Sequence, residues 1–287
     1  MWFAFALIAA LLQAGQFAVV KGRARHIPPL VIMLWTQVLS LVAFAAWCWA
    51  IDASFTEPWR HAGWVLAAVA LAGAMNYLLA RASAGGDLSV IGPVLALSPI
   101  VSIVPDWWLT GALPRGIGWV GIGVSVLGTI SLSRSETRRF DPLRLFSRED
   151  ALCALGAAIS LGVLSAVDRR MATTIGVAGY LVAIYLCQVP ITAALIVAQR
   201  SRALPAKLTP ADAGTLVAHA ALAVVGVALQ LSALVFAPAA YVNSVRRSSS
   251  VFSVMLGRAL FGEPGLAGRL GAAVLMLLGA VCLLLAR

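Results

Sequence analysis

Charge is scarce in this sequence. Asp, Glu, Lys and Arg together make up 11% of it, and 61% of its residues are hydrophobic. A water-soluble domain carries about 25% charged and about 45–50% apolar residues. No single water-soluble core hides such an excess, so the composition reads as a polytopic membrane protein. Acids are the scarcer sign, 11 against 21 Lys and Arg. They are Asp52, Glu57, Asp87, Asp106, Glu136, Asp141, Glu149, Asp150, Asp168, Asp212 and Glu263, all placed by sequence in loops or near the ends of apolar runs. The first apolar run offers Gln13 and Gln16 in place of an acid. An amide hydrogen-bonds but does not titrate, so exchange of protons through a first-span carboxylate is disfavoured.

Other absences narrow the function further. The four cysteines, Cys48, Cys153, Cys187 and Cys282, lie in apolar runs with no CxxC and no nearby His. They read as small apolar residues rather than disulfide or zinc partners. No metal site and no cofactor is expected. No span presents paired carboxylates, a His cluster or a nucleophile–base pair, which argues against a membrane enzyme. GIGVSVLG (121–128) imitates a dinucleotide loop, but it lies inside an apolar run with no strand before it and reads as a helix-packing surface. His219 reads as a hydrogen-bonded packing residue. The first apolar run starts at Trp2 without a basic segment ahead of it, so it is expected to span rather than to be cleaved. The net charge of +10 does not point to nucleic acid, because the basic residues cluster in short gaps between apolar runs.

What the sequence has is apolar runs of membrane-crossing length, about 20 residues each. Ten are expected, at 2–20, 30–50, 62–80, 88–109, 115–132, 150–167, 178–198, 212–235, 237–261 and 266–285. The longest polar stretch, SRSETRRFDPLRLFSRED, separates two halves, 1–132 and 150–287, and reads as a cytoplasmic linker at 133–149. The halves echo one another. FAVVKGR (17–23) parallels SAVDRR (165–170), WTQVLSLVAF (35–44) parallels LCQVPITAAL (186–195), and SPIVSIVPDWWLTGALP (98–114) parallels SSVFSVMLGRALFGEP (249–264). Five spans per half is odd, so the halves insert with opposite orientation. The expected fold is an all-α membrane protein of ten transmembrane helices in two inverted five-helix repeats, a transporter architecture. Fourteen of the 21 basic residues fall in the loops joining spans 1–2, 3–4, 5–6, 7–8 and 9–10, and five fall on the other side. That bias puts both termini outside.

These features resemble the EamA family of the drug/metabolite transporter superfamily. The likeness rests on the ten-span duplicated layout, Lys21 closing a short first span, the Pro-rich IGPVLALSPIVSIVP of the fourth span, and RRSSSVFSVMLGRALFGEPGLAGRLGAAVLMLLGA (246–280). It implies two EamA-like repeats and transport of a metabolite across the cell's inner (plasma) membrane. Two departures stand out. GALP (111–114) has Ala112 where the family usually has Glu, leaving Glu263 alone. The charge count places the termini outside, where family members usually keep them inside.

The expected substrate site draws on neutral polar groups within spans: Gln13, Gln37, Asn76, Tyr185, Gln188, Gln230 and Asn243. Gln37 and Gln188 occupy matching places in the two halves, so an inverted repeat brings both to the midplane. Arg246 and Arg247 stand about ten residues into the ninth span, roughly 14 Å deep. A central Arg costs at least about 2.5–3.5 kcal/mol. Neighbours on a helix point about 100° apart, so one Arg is expected on the cavity while the other pairs with carbonyls or reaches for the interface. Guanidinium recognises carboxylate or phosphate, which suggests anionic cargo. Pro93, Pro99 and Pro105 bend the fourth span and are candidates for a gating hinge. The partners expected are a small-molecule substrate and the bilayer, not nucleic acid, with a homodimer left open. The alternative is a flippase for a lipid-linked anionic headgroup.

Overall fold

The computed structural model describes residues 1–23, 27–54, 56–85, 94–134, 149–198, 209–261 and 266–286. Among them every regular element is a helix. In a bilayer each backbone N–H and C=O must be satisfied within the segment, and the α-helix does this. The helices are α1 Trp2–Arg23, α2 Pro29–Ala50, α3 Glu57–Arg60, α4 Ala62–Gly85, α5 Ser98–Val101, α6 Ile103–Thr110, α7 Ile117–Arg134, α8 Glu149–Ile175, α9 Val177–Ala198, α10 Pro210–Phe236, α11 Ala239–Arg246, α12 Ser249–Phe261 and α13 Leu266–Leu285.

Six of these, α1, α2, α4, α8, α9 and α10, are long and apolar enough to cross a membrane. Within α7 and α13 lie shorter apolar stretches, Ile117–Ser131 and Gly271–Leu285. Large apolar side chains such as Val42, Val104, Val197 and Leu260 face outward, the surface a lipid-solvated bundle presents. Local chemistry sets the ends. Pro29 opens α2, where its missing N–H costs nothing. Thr209 and Asp212 form a reciprocal capping box at the start of α10. Gly111, at φ 73°, closes α6 in the left-handed conformation that glycine adopts without strain.

Three spans differ from expectation. In the fourth, residues 98–110 form two short helices, α5 and α6, with Ser102 between them. Pro99 is the second residue of α5 and Pro105 the third of α6. A proline lacks the N–H that a first turn would leave unpaired anyway, so both start helices rather than bend one. The ninth span is also two helices, α11 and α12, parted at Arg247 and Ser248. There Ser248 N–H donates to Val245 O at 3.0 Å and Ser250 N–H to Arg247 O at 3.0 Å, tight turns of the 3₁₀ kind. The sixth span does not stop at 167. α8 runs on through Asp168, Arg169 and Arg170 to Ile175, because each of the three polar side chains finds a partner inside the bundle. Of the expected linker, 135–148 lies outside the described residues, as do Pro93 and Glu263.

The most extensive packing joins α7 to α13, α1 to α10, α4 to α8 and α2 to α9. Each of these pairs takes one helix from each half of the chain. At α7–α13 the fit depends on glycine. A Cβ at Gly279 would sit 2.6 Å from Ser125 N and 2.9 Å from Gly121 O, and one at Gly128 would sit 2.8 Å from Met276 N. GIGVSVLG is thus a surface of close helix approach. His219, on α10, packs across to α2, its Nδ1 3.0 Å from Thr36 Oγ1. All four cysteines are free thiols.

Candidate functional site: a central cavity between the halves

A cavity of about 500 Å³ lies among α1, α4, α8, α9, α10, α11 and α12. Much of its wall is apolar, with Phe17, Met75, Leu79, Leu95, Leu161, Leu164 and Leu181 among the residues that line it. Polar groups converge on it from both halves: Gln13, Ser165, Asp168, Tyr185, Gln188, Gln230, Asn243, Arg246, Arg247, Ser249 and Ser250.

Both arginines line this one cavity. Neighbours point about 100° apart only on a continuous helix; α11 ends at Arg246, and Arg247 belongs to the turn that follows. The two side chains then diverge to neutral partners. Arg246 Nη2 donates to Gln13 Oε1 of α1 at 3.0 Å. Arg247 Nη2 donates to Ser98 Oγ, so the break in the ninth span touches the start of α5. Asn243 Oδ1 accepts from Ser165 Oγ at 3.3 Å. Asn243 Nδ2 and Arg246 Nε are buried without a partner, and an orphaned donor in such a place is costly unless something fills it.

Gln13, Tyr185, Gln188, Gln230 and Asn243 reach the cavity as the sequence suggests. Gln37 does not. It is buried behind Gln188, its Nε2 3.5 Å from Gln188 Oε1, the outer limit of a hydrogen bond. Asn76 is exposed on the outside of α4, while its neighbour Met75 faces inward; one step along a helix turns a side chain by about 100°. Pro99 is buried and Pro105 half-buried, and neither lines the cavity.

The largest correction concerns acids. Asp168 is buried in α8 and lines the cavity, its Oδ1 accepting from Tyr180 OH at 2.7 Å. Asp106 is 1% exposed in α6. It holds Arg169 of α8 at 3.0 Å, accepts from Thr110 at 2.9 Å, and accepts the backbone N–H of Ala239 at the start of α11 at 2.8 Å. Arg169 also donates to Leu234 O at 3.1 Å. Arg170 donates to Leu109 O at 2.9 Å and lies over the Trp64 ring at 5.1 Å. One cluster therefore ties α4, α6, α8, α10 and α11 together at one end. The sequence carried a signal for the placement of Asp168 and Arg169 within a helix. DRRMATTI holds no helix breaker before Gly176, so the helix had every reason to continue past Asp168.

Residues 1–134 match the model of the EamA-like transporter family. No curated protein matches the chain in sequence. One solved protein, described only as a crystal structure, superposes with a TM-score of 0.74 at 20% identity, covering 100% of this chain and 98% of its own. At that identity the likeness speaks for the fold alone. The match covers 134 of the 287 residues, so the first half of the chain is similar to the EamA-like transporter family, and the apolar helices with their outward-facing apolar surface are those of a multi-pass membrane protein.

Proposed function

We propose that the chain is a secondary transporter of a small polar metabolite bearing a carboxylate or phosphate. It works by alternating access between two inverted five-helix repeats, 1–132 and 150–287. The observation that carries the reading is the pair of guanidinium groups on the wall of one central cavity, each hydrogen-bonded to a neutral side chain. A charge held in lipid costs energy that function must justify, and Arg is suited to forked recognition of such anions. The helix pairing supports the repeat. Exchanging the halves turns the α1–α10 contact into the α8–α4 contact, and maps α2–α9 and α7–α13 onto themselves. The Asp106–Arg169 cluster then serves as the closed gate at the end that holds the termini, which the basic-residue bias places outside the plasma membrane.

A thermal-shift screen of the purified protein against metabolite anions and cations identifies ligands, since a ligand of the folded state raises apparent stability. Liposome uptake then tests them. Arg246→Ala and Arg247→Ala are expected to abolish uptake while leaving folded protein; wild-type uptake by both would sink the anion site.

One observation favours a second reading, a flippase for a lipid-linked anionic headgroup. A groove of about 220 Å³ between α1 and α12 runs from Lys21 past Gly257 and shares Phe17 with the central cavity. Scrambling of a fluorescent phospholipid or polyprenyl phosphate in liposomes, without flux of soluble solute, would favour it.

A further inference from the structure

We propose that the groove between α1 and α12 holds a resident phospholipid with an anionic headgroup, bound apart from the cargo. Ala14, Phe17, Ala18, Val254, Gly257 and Phe261 form its apolar walls, and Ser253 and Lys21 are its polar members. The groove runs in the direction an acyl chain takes. Ala14 to Lys21 is a step of seven residues on α1, about 10 Å at 1.5 Å per residue. One leaflet's hydrocarbon is about 15 Å deep, so the groove follows most of it. Small side chains at Ala14, Ala18 and Gly257 make the depression, and Phe17, 57% exposed, stands beside it.

The charge sits at one end. Lys21 Nζ lies over the Phe261 ring, 5.2 Å from its centroid, a contact that holds the ammonium at the end of the groove. Arg258 stands exposed one turn before Phe261 on α12. No acid is among the described residues that line the groove. Lys21 lies 19 residues along α1 from Trp2, at the end that the basic-residue bias places in the cytoplasm. Basic groups between helices on that side attract anionic headgroups. A phosphate diester with acyl chains matches both parts of the arrangement, its charge beside Lys21 and a chain running toward the midplane. A free phosphate would meet the ammonium and leave the apolar walls uncovered. A zwitterionic lipid would cover the walls, but its own cation offsets its phosphate. Phe17 also lines the central cavity, so one ring parts the lipid chain from the cargo site, and the chain closes that side of the cavity toward the bilayer.

The test is retention of added lipid by the purified full-length protein, read by native mass spectrometry. The probes are phosphatidylglycerol and phosphatidylcholine with matched chains. Phosphatidylglycerol is expected to be retained about fivefold more strongly or better, the worth of one cation near the membrane surface. Lys21→Gln is expected to bring the ratio close to one. Ala18→Phe, which fills the groove, is expected to lower retention of both lipids. Arg60→Gln, at the opposite end of the bundle, is expected to leave the ratio unchanged. Where Lys21→Gln fails to fold, the wild-type ratio and Ala18→Phe decide. Equal retention of the two lipids by the wild type overturns the proposal, as does an unchanged ratio in Lys21→Gln or unchanged retention in Ala18→Phe. Thermal stabilisation by glycerol phosphate equal to that by phosphatidylglycerol removes the groove from the site. Scrambling of fluorescent phosphatidylglycerol in liposomes makes the lipid a cargo and overturns its residence.

Discussion

Arg246 and Arg247 reach one cavity because the helix that carries them ends between them. A guanidinium at bilayer depth costs at least about 2.5–3.5 kcal/mol, and a single neutral hydrogen bond between helices returns about 0.6–2 kcal/mol. Gln13 and Ser98 therefore leave a deficit at each arginine, which the anionic ligand of the proposed function would close. The neutral polar residues divide by the direction they face. Gln188 presents its amide to the cavity and is backed by Gln37; Asn76 faces away. Gln188→Ala is accordingly expected to weaken ligand binding roughly 5–10-fold, the worth of about one hydrogen bond. Asn76→Ala is expected to leave binding unchanged. Titration of both variants with a ligand from the thermal screen checks this, and equal losses would contradict the placement of the cavity.

At the scale of helices, two contacts hold the halves together in different ways. The α7–α13 contact is apolar and backbone-close. A Cβ at Gly279 would meet backbone atoms of Ser125 and Gly121, which cannot rotate aside. Gly279→Ala is expected to cost about 1–3 kcal/mol through overpacking and to lower the thermal midpoint. Gly123, on the same helix α7, has open space where its Cβ would go. Gly123→Ala is expected to be neutral or slightly stabilising, since Ala is the better helix former. Matched thermal melts of the two variants separate packing from propensity. The second contact is polar. Asp106 joins Arg169, Thr110 and the first N–H of α11. Removing one partner of a buried pair costs about 3–5 kcal/mol. Asp106→Asn keeps an acceptor for Ala239 but strands Arg169. A double-mutant cycle with Arg169→Gln is expected to return about 1–3 kcal/mol of coupling. Strictly additive effects would remove the cluster from its role as a gate.

For the molecule as a whole, the cavity and the proposed Asp106–Arg169 gate would together define a direction. The gate lies at the end shared by Trp2, Arg115 and Tyr241, where Tyr241 OH accepts the Arg115 N–H at 3.0 Å and the Trp2 and Tyr241 rings sit 6.1 Å apart. Basic residues are sparse in the loops at this end and dense in those at the other. The expected topology puts the gated end outside. An N-terminal epitope on the expressed protein should then be accessible in intact cells without permeabilisation. Labelling only after permeabilisation would reverse the direction assigned to the gate.

By itself the sequence determined the solvent and the building material. Its hydropathy requires a bilayer, the bilayer requires helices, and the echo between WTQVLSLVAF and LCQVPITAAL foreshadowed packing between the halves. Gln188 and the arginine pair were legible because a polar group inside an apolar run stands out whatever surrounds it. Asp168 and Asp106 were not, because a carboxylate near the end of an apolar run looks solvated until its partner is known. Those partners, Tyr180 for one and Arg169 and Ala239 for the other, lie on other turns or other helices. Where α8 ends, which side Asn76 faces, and that two adjacent arginines share one cavity were decided by tertiary structure. Each depends on a helix phase or a break that only neighbouring helices stabilise.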